Sequence, residues 1–269
     1  MQAVILAAGQ GIRLRPLTDD CPKCLVEVHG KPILRYQLEA LCAAGVRKCV
    51  IVVGYRAAQV RASFGTRFRD LSITYVENEI FDSTNNIYSL WLARREITED
   101  LLLLEGDLIF EPELLMDLID APYENVAVVD RFQPPMNGTV ILARGDVASA
   151  MVLKTDQPRG FDYGPALKTV NIYKFSHRAV SGELMPALGD YVSQGRTDHY
   201  YEMAIARAVA EGAIRLHVLR TGPRAWAEID TQDDLVDAER MRFGLPAGLG
   251  GRAGAGLARG TPLARPSRT

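Results

Sequence analysis

The stretch from Val4 to Thr18 reads VILAAGQGIRLRPLT. Its first four residues form a short apolar run that ends in a glycine-rich turn, a pattern typical of a buried strand. Gly9 and Gly11 would let backbone N–H groups approach an anion closely. Arg13 and, soon afterwards, Lys23 add the positive charge that suits a triphosphate. The stretch therefore predicts a strand that leads into a phosphate-binding turn.

The same stretch departs from two better-known phosphate-binding patterns. It lacks the third glycine of the dinucleotide fingerprint, and it lacks the Gly-Lys-Ser/Thr ending of a Walker loop. Two glycines after a strand also fit a tight strand–helix turn that binds nothing. That interpretation explains Gly9 and Gly11 but not Arg13 and Lys23, so we favour a phosphate-binding role.

The composition is that of an ordinary globular protein. The chain has 269 residues, of which 48% are hydrophobic and 24% are charged, and its formal net charge is −2. These values exclude a disordered chain and a membrane span, and so small a net charge gives no field that would attract nucleic acid. We expect a protein that acts on small molecules, with no nucleic-acid and no membrane partner. The sequence is compatible with a homo-oligomer.

The four cysteines indicate a reducing compartment. Cys21 and Cys24 have the C-x-x-C spacing of a zinc or redox site, but the second half of a zinc site is missing. A secreted disulfide framework is normally denser and belongs to a smaller chain. The amino terminus has no basic leader followed by a long apolar run, so we expect no signal peptide. The simplest interpretation is a cytoplasmic protein with incidental thiols.

Strand-like and helix-like segments alternate in the first half of the chain. Apolar runs at Val4–Ala7, Cys49–Val53 and Leu101–Leu104 alternate with helical patterns such as Pro32–Ala44. This order predicts a parallel sheet with helices on both faces.

The second half has a different pattern. Strand-like runs at Val126–Val129, Thr139–Ala143, Ala148–Leu153 and Thr169–Phe175 follow one another closely and predict a mixed sheet. Helical patterns near Ser181–Val192 and His199–Ala210 and apolar strands at Ile214–Leu219 and Trp226–Ile229 complete residues 1–243. Residues 244–269 are rich in Gly, Pro and Arg and contain no acid, which predicts a disordered tail.

Together with Pro22-Lys23, the opening stretch resembles the nucleotidyltransferases that activate sugar 1-phosphates, phosphocholine and phosphonates with nucleoside triphosphates. The resemblance covers roughly residues 1–243. It implies a Rossmann-like, doubly wound α/β domain with a mixed sheet, and a nucleotide over the carboxyl ends of its strands. It also implies that Lys23 and Arg13 are catalytic and hold the β- and γ-phosphates. The residues expected to contact the nucleotide are Leu6, Ala7, Ala8, Gly9, Gly11, Asn85, Asn86 and Gly106.

The same resemblance implies a Mg²⁺ ion bound by two carboxylates. Asp107 and Asp230 each lie just past an apolar run, so both are candidates for the carboxyl edge of the sheet. Magnesium takes hard oxygen ligands, commonly one or two protein carboxylates with phosphate oxygens and water. Asp107 could instead be a turn residue, and Asp230 an acid at a helix N-terminus. Glu105 and Glu228 are weaker candidates for the metal.

One segment indicates a particular branch of the family. Residues 84–90 read TNNIYSL, which resembles the phosphocholine and phosphonate cytidylyltransferases rather than the sugar-specific relatives. The Asn85 and Asn86 amides suit a sugar hydroxyl or a base edge, since each offers a donor and an acceptor. The same pair could also cap the helix that follows.

Three further segments resemble the phosphonate branch: Met136–Val140, Lys168–Phe175 and His199–Glu202. Asn137 departs from the aspartate that this branch typically carries, which leaves the role of that position open. We expect Lys168 and His199 to bind the acceptor, although a histidine here is more often a surface or cap residue.

These features predict a Mg²⁺-dependent cytidylyltransferase that joins CMP from CTP to a small phosphonate and releases pyrophosphate. Carboxylated, hydroxylated and amino phosphonates all remain open, for example phosphonoformate, hydroxyethylphosphonate and aminoethylphosphonate. The alternatives are a phosphocholine cytidylyltransferase, a sugar-1-phosphate nucleotidylyltransferase that uses UTP or dTTP, and a nucleotide-binding regulatory subunit. Aromatic residues that could bind choline are Tyr88, Trp91, Tyr173, Tyr200 and Tyr201. Against choline stand four cations of the second half, Arg131, Lys154, Lys168 and Lys174, which favour an acceptor with an extra anion.

Overall fold

A computed structural model describes residues 1–244. The tail predicted for residues 244–269 therefore lies, apart from Gly244, outside the described residues. Within residues 1–244, no helix is both long and apolar enough to cross a membrane.

The elements largely follow the predicted order. The strands are β1 (Gln2–Ala7), β2 (Glu27–Val28), β3 (Lys31–Pro32), β4 (Lys48–Val53), β5 (Arg67–Phe68), β6 (Leu71–Glu77), β7 (Leu101–Glu105), β8 (Leu108–Phe110), β9 (Val126–Arg131), β10 (Val140–Arg144), β11 (Val147–Val152), β12 (Ala166–Phe175), β13 (His217–Arg220) and β14 (Trp226–Glu228). The helices are α1 (Ile33–Ala43), α2 (Ala57–Phe64), α3 (Asn86–Ala93), α4 (Pro112–Asp120), α5 (His177–Ala179), α6 (Met185–Ser193), α7 (Glu202–Ala210) and α8 (Gln232–Ala238). A π-helical turn, Val180–Leu184, joins α5 to α6.

Ten strands form one mixed sheet in the order β10-β11-β13-β9-β12-β7-β1-β4-β6-β5. The strands β7, β1, β4 and β6 are parallel, as the first half of the sequence predicts. β12 runs antiparallel to both β7 and β9, which makes the second half mixed. The predicted α/β class with a doubly wound mixed sheet is confirmed.

Helices cover both faces of the sheet, and β1 shows why its sequence is continuously apolar. Val4 and Leu6 pack on one face in the same cluster as α3, whereas Ala3 and Ile5 pack on the other with α1. A strand buried on both faces has no solvent side for polar residues, so an unbroken apolar run results.

Several elements differ from the prediction. The strand predicted at Trp226–Ile229 forms β14, which pairs antiparallel with β8 in a separate two-stranded sheet. The strand β8 itself was not predicted, because its three residues are too few to show a periodicity. The helix predicted from His199 begins at Glu202, after a turn.

The carboxyl ends of β1 and β7 lie side by side, and Gly106 sets how closely they approach. Leu6 is paired in register with Glu105, and the Gly106 N–H donates to the Leu6 carbonyl oxygen at 2.8 Å. A Cβ at Gly106 would lie 2.8 Å from that oxygen and 2.8 Å from the Ala7 Cβ. Only glycine therefore allows the chain after β7 to lie against the end of β1.

We predict that Gly106→Ala lowers the free energy of unfolding by about 1–3 kcal/mol, because the added methyl group must displace backbone atoms of β1. Gly182→Ala is the matched control. A Cβ at Gly182, in the π-helical turn, meets no atom within 4 Å, so its stability should stay the same or rise slightly. Urea unfolding followed by circular dichroism measures both, and an equally stable Gly106→Ala variant would contradict this packing.

Candidate active site

A cleft of about 700 Å³ opens at the carboxyl ends of β1 and β7. It continues past β12 to the start of α7, so it combines the two halves of the chain. Thirteen of the fourteen residues predicted for the site line it, namely Leu6, Ala7, Ala8, Gly9, Gly11, Arg13, Lys23, Asn85, Asn86, Gly106, Asp107, Lys168 and Asp230. Their functional roles stay predictions at this point.

Lys23 lies between two carboxylates at the centre of this cleft. Its Nζ is 2.6 Å from Asp107 Oδ2 and 2.6 Å from Asp230 Oδ1. Arg13 also contacts Asp230 Oδ1, at 2.8 Å, from a more exposed position. Burial alone would lower the pKa of Lys23, but the two carboxylates more than offset it and raise the pKa. The lysine therefore stays positively charged in a partly desolvated site.

The small sheet of β8 and β14 brings the two aspartates together. Asp107 immediately precedes β8, and Asp230 follows β14, in which Glu228 pairs with Leu108. The Ile229 N–H donates to the Asp107 carbonyl oxygen at 3.0 Å. Residues 123 positions apart in the chain, 230 minus 107, thus become neighbours.

The segment after β14 also holds Asp230 in place. Thr231 is the N-cap of α8, and its side chain accepts a hydrogen bond from the Asp234 N–H. Asp234 Oδ2 in turn accepts hydrogen bonds from the backbone N–H groups of Asp230 and Thr231, at 3.0 and 2.7 Å. This capping box fixes the backbone at Asp230.

The glycine-rich loop packs directly on the lysine. Gly11 has φ +65°, and a Cβ there would lie 2.9 Å from the Lys23 Cβ, so this position requires glycine. Thr18 Oγ1 donates to the Gly11 carbonyl oxygen at 2.7 Å and closes the loop. At Gly9, by contrast, a Cβ would meet no protein atom within 4 Å, so this residue faces the open cleft.

The asparagine pair shapes the wall of the cleft. Asn85 is the N-cap of α3, and its side-chain oxygen accepts a hydrogen bond from the Asn86 N–H at 2.8 Å. The Asn86 amide donates to Glu105 Oε1 at 2.8 Å and accepts from the Tyr201 N–H at 2.9 Å. The capping interpretation therefore holds for Asn85, while Asn86 connects α3 to β7 and to the start of α7.

The far end of the cleft contains one buried lysine. Lys168 is 3% exposed, donates from Nζ to the Thr169 carbonyl oxygen at 2.6 Å, and lies 3.4 Å from Glu228 Oε2. A Cβ at Gly138 would lie 3.3 Å from this Nζ, so the Asn137–Thr139 segment closes over the lysine.

Two residues of this end were not assigned a site role from the sequence. Asn171 adopts φ +61° where the pairing of β12 with β9 shifts register, and its Oδ1 is buried with no hydrogen-bond partner among residues 1–244. Glu202, 6% exposed, lies in the His199–Glu202 segment that resembles the phosphonate branch. Nothing in the sequence alone shows that Glu202, rather than one of the tyrosines before it, is a site residue.

Three glutamates, Glu105, Glu202 and Glu228, line this end of the cleft, and their pKa values are raised, whereas the pKa of Asp230 is lowered. Burial raises the pKa of Glu105, with the nearby Asp107 adding to the effect. Burial also raises the pKa of Glu228, although Lys168 opposes it. The pKa of Glu202 rises to about 7, chiefly because of burial. This end of the cleft is thus rich in poorly solvated carboxyl groups.

Two of the four cations expected to favour an acceptor anion face the cleft. Lys168 and Lys154 line it. Lys174 does not, because its Nζ donates to the carbonyl oxygens of Ile119 and Ala121 beyond the other end of β12. Arg131 is exposed at the end of β9 and is not among the lining residues.

His199 is the one predicted site residue that does not line the cleft. Its Nδ1 lies 2.9 Å from Asp198 Oδ1, and its Nε2 lies 3.2 Å from Arg196 Nε. Both ring nitrogens therefore point at neighbours in the turn before α7, and the expectation that His199 binds the acceptor is not carried forward.

The C-x-x-C pair is unbridged, and all four cysteines are free thiols. Cys24 is buried beside the cleft, and burial raises its pKa to about 12. Within the described part of the chain, no group of three or more His, Cys, Asp or Glu side chains is arranged to hold a metal ion.

We predict that Lys23→Met lowers the free energy of unfolding at pH 7 by about 3 kcal/mol, because two neighbouring carboxylates lose their shared cation. Burial would raise the pKa of Asp230, but Lys23 and Arg13 lower it, so this stabilisation is present at neutral pH and fades as the pH falls through that lowered pKa. The deficit of the variant should therefore shrink at about pH 4, where carboxylates without Lys23 take up protons.

Urea unfolding at both pH values measures this effect. The control is Lys48→Met, which removes an exposed ion pair with Glu99 and should change stability by no more than about 0.5 kcal/mol. A Lys23→Met variant as stable as the parent at pH 7 would show that the two aspartates do not need the lysine.

Comparison with known proteins agrees with this geometry. The family model described as a MobA-like NTP transferase domain matches residues 3–166. The chain is 36% identical over 247 residues to the CMP-5'-(3-aminopropyl)phosphonate synthase of Streptomyces rubellomurinus, an alignment that covers 91% of this chain and 39% of that protein. It is 42% identical over 114 residues to the UTP–glucose-1-phosphate uridylyltransferase of Haloferax volcanii, covering 42% of this chain and 46% of that protein. The chain thus spans less than half the length of these two relatives.

The same fold occurs among solved structures. The structure of CTP:phosphocholine cytidylyltransferase from Streptococcus pneumoniae superposes with a TM-score of 0.72 at 23% identity, over 89% of this chain and 97% of that one. The family domain matches more than half of the present chain, from β1 into the start of β12. The chain therefore belongs to the MobA-like NTP transferase domain family of nucleotidyltransferases.

Proposed function

We propose that this protein is a cytidylyltransferase that transfers CMP from CTP to a small phosphonate and releases pyrophosphate. The observation that carries the proposal is the arrangement of charge along one cleft. A glycine-rich loop with Arg13 lies at one end, Lys23 and the aspartate pair at the centre, and the buried Lys168 at the other end. Such a cleft suits a triphosphate and a second anion on opposite sides of a reacting phosphorus atom.

The reaction needs alignment rather than proton removal. An oxygen of the phosphonate attacks the α-phosphorus of CTP, the new P–O bond forms, and the bond to the β-phosphate breaks. At neutral pH the attacking oxygen is already largely anionic, so no general base is required. The barrier comes from bringing anions together, and fixed positive charge and in-line positioning lower it.

Backbone groups of the loop around Ala8–Gly11 seat the nucleotide, and Gly9 leaves room for close approach. Arg13 and Lys23 bind the β- and γ-phosphates and stabilise the pyrophosphate as it leaves. In the free chain Lys23 is held by Asp107 and Asp230, so nucleotide binding exchanges these carboxylate partners for phosphate oxygens. Lysine suits that exchange because its ammonium group is a mobile point charge.

The two aspartates fit a Mg²⁺ ion completed by the substrates. Both offer hard carboxylate oxygens, and Asp107 Oδ1 is buried with no hydrogen-bond partner in the described chain. Asp107 and Asp230 would hold the ion, which when bound neutralises the charge that develops on the phosphates. The absence of a third metal-binding side chain within residues 1–244 agrees with a site that phosphate oxygens and water complete.

Lys168 anchors the phosphonate at the acceptor end. It is the one buried lysine among the described residues that line the cleft apart from Lys23, and its Nζ is fixed by Thr169. The 36% identity to a phosphonate synthase over 91% of the chain supports this assignment, because that alignment is long enough to include the acceptor half. The free thiols suit a reducing cytoplasm, and we place the enzyme there.

The sugar-1-phosphate alternative has weaker support. The uridylyltransferase alignment extends over 114 residues, fewer than the 123 positions that separate Asp107 from Asp230, so it cannot include both aspartates. The phosphocholine alternative shares the fold of the Streptococcus pneumoniae enzyme. Of the five aromatic residues that could bind choline, Tyr200 alone is among the described residues that line the cleft.

A substrate screen tests the proposal. Pyrophosphate release should require Mg²⁺, should be fastest with CTP among the four nucleotides, and should depend on a phosphonate acceptor. Chelation by EDTA should abolish it and added Mg²⁺ should restore it. If glucose 1-phosphate with UTP, or phosphocholine with CTP, gave the highest kcat/KM, the corresponding alternative would replace the phosphonate assignment.

We predict that Asp107→Ala and Asp230→Ala each lower kcat by at least about 100-fold while the fold is retained, because each removes one hard ligand at a highly charged centre. Asp237→Ala is the control, since this exposed residue of α8 pairs only with the exposed Arg240. Near-normal activity of either cleft variant in Mg²⁺ would show that the residue is not a ligand.

We expect Lys23→Met to lower kcat by a comparable factor, since a point charge facing the leaving pyrophosphate is lost. The loss should appear in kcat at saturating CTP rather than in KM alone, which steady-state kinetics separates. An unchanged kcat would limit Lys23 to its structural contact with the aspartates.

A further inference from the structure

We infer that the acceptor carries a primary ammonium group and that Glu202 is the residue that selects it. This inference rests on the proposed function, because it assigns a second recognition group at the acceptor end of the same cleft. It narrows the acceptor from small phosphonates in general to aminoalkylphosphonates.

The first observation is a carboxylate oxygen that lacks a hydrogen-bond partner. Glu202 opens α7, lines the cleft and is 6% exposed. Its Oε2 is buried and has no hydrogen-bond partner within residues 1–244. A buried carboxylate oxygen without a hydrogen-bond donor destabilises the protein far more than an exposed one does. Such an atom in a cleft therefore indicates that the ligand supplies the donor.

The second observation is the charge around it. Glu105, Glu202 and Glu228 line this part of the cleft, and Lys168 is the buried lysine beside them. Lys168 already donates to the Thr169 carbonyl oxygen and lies 3.4 Å from Glu228. The contacts of Lys168 therefore go to Thr169 and Glu228, and the donor for Glu202 Oε2 is left to the ligand.

A metal ion fits this end less well than an ammonium group. No cluster of three or more metal-binding side chains is formed anywhere in the described residues, these three glutamates included. An ammonium group needs no such convergence, because one N–H pointing at Oε2 satisfies the unpartnered atom.

The aromatic residues indicate a primary rather than a quaternary ammonium. A quaternary group has no N–H to donate and is normally held by aromatic faces. The Trp91 ring is covered by Gly189, where a Cβ would lie 2.9 Å away, and by the Arg94 guanidinium. Tyr173 and Tyr201 are fully buried. Phe81 and Tyr200 are the aromatic rings that line the cleft within residues 1–244, too few to enclose choline.

The test compares two acceptors that differ only in the group that would face Glu202. Binding of 2-aminoethylphosphonate and 2-hydroxyethylphosphonate is measured by calorimetry on the enzyme saturated with Mg²⁺ and α,β-methylene-CTP. A preference of about 30-fold for the amine is expected, the size of one charge-assisted hydrogen bond. In Glu202→Gln the ratio of the two affinities should fall to about one, since the charge is lost and the shape is kept.

Two further variants make the result specific. Glu202→Asp keeps the charge and should retain more of the preference than Glu202→Gln. Glu211→Gln removes an exposed carboxylate at the end of the same helix, which pairs with Arg207, and should leave the ratio unchanged. Melting temperature and binding of the CTP analogue show that each variant is folded.

The pH dependence of the unmodified enzyme gives an independent readout. Glu202 faces Lys168 from β12, Glu228 from β14, Asn86 from α3 and Glu105 from β7, and burial raises its pKa to about 7. Its carboxylate form therefore increases as the pH rises through that value, while an alkylammonium stays protonated. The preference for the amine should grow between about pH 6 and pH 8, and Glu202→Gln should abolish that growth.

The outcomes separate the two proposals. Equal affinity for amine and alcohol in the unmodified enzyme, or a preference that survives Glu202→Gln, overturns the role of Glu202 even if CMP transfer to phosphonates is observed. Tighter binding of phosphocholine than of 2-aminoethylphosphonate also overturns it. The absence of CMP transfer from CTP to any phosphonate refutes the proposed function, whereas the binding ratio still tests Glu202.

Discussion

The contact on which the rest of the cleft depends is the Lys23 ammonium between Asp107 and Asp230. Two carboxylates this close together repel each other strongly in a partly desolvated site. A cation that contacts both removes most of that electrostatic repulsion. The surrounding structure serves this contact. Gly11 allows the loop to pack on the lysine stem, and the capping box of α8 fixes the backbone of Asp230. In the proposed function, substrate recognition is built around a charge arrangement that also connects distant parts of the free chain.

The cleft has two charged centres with different solvation. At the central one, cations outweigh burial and hold the pKa of Asp230 low. At the acceptor end, burial outweighs the single lysine, and the pKa values of Glu202 and Glu228 are raised. In the proposed reaction, the first centre binds the polyanion, and the second binds an acceptor that carries both an anion and a cation. The two ends of a small acceptor would then be recognised separately.

The sequence was sufficient for the class of fold, and thirteen of its fourteen predicted site residues line the cleft, because these depend on local pattern. Unbroken apolar runs identify the doubly buried strands, and the residues just past them reach the carboxyl edge of the sheet, as Asp107 does. Features set by distant contacts could not be predicted in this way. The pairing of β8 with β14, the left-handed Asn171 beside β9, and the direction of the Lys174 side chain each depend on a neighbour far away in the chain. Glu202 became a candidate only when its unpartnered oxygen was seen in the cleft.

The two-stranded sheet of β8 and β14 has a consequence for biosynthesis. The glycine loop, Lys23 and Asp107 are translated early, whereas β14 and Asp230 follow more than a hundred residues later. Contacts of such large sequence separation form late and slowly. A nascent chain that has not yet reached β14 carries the glycine-rich loop without the second aspartate. The proposed nucleotide centre is therefore completed only when nearly all of residues 1–244 have emerged from the ribosome.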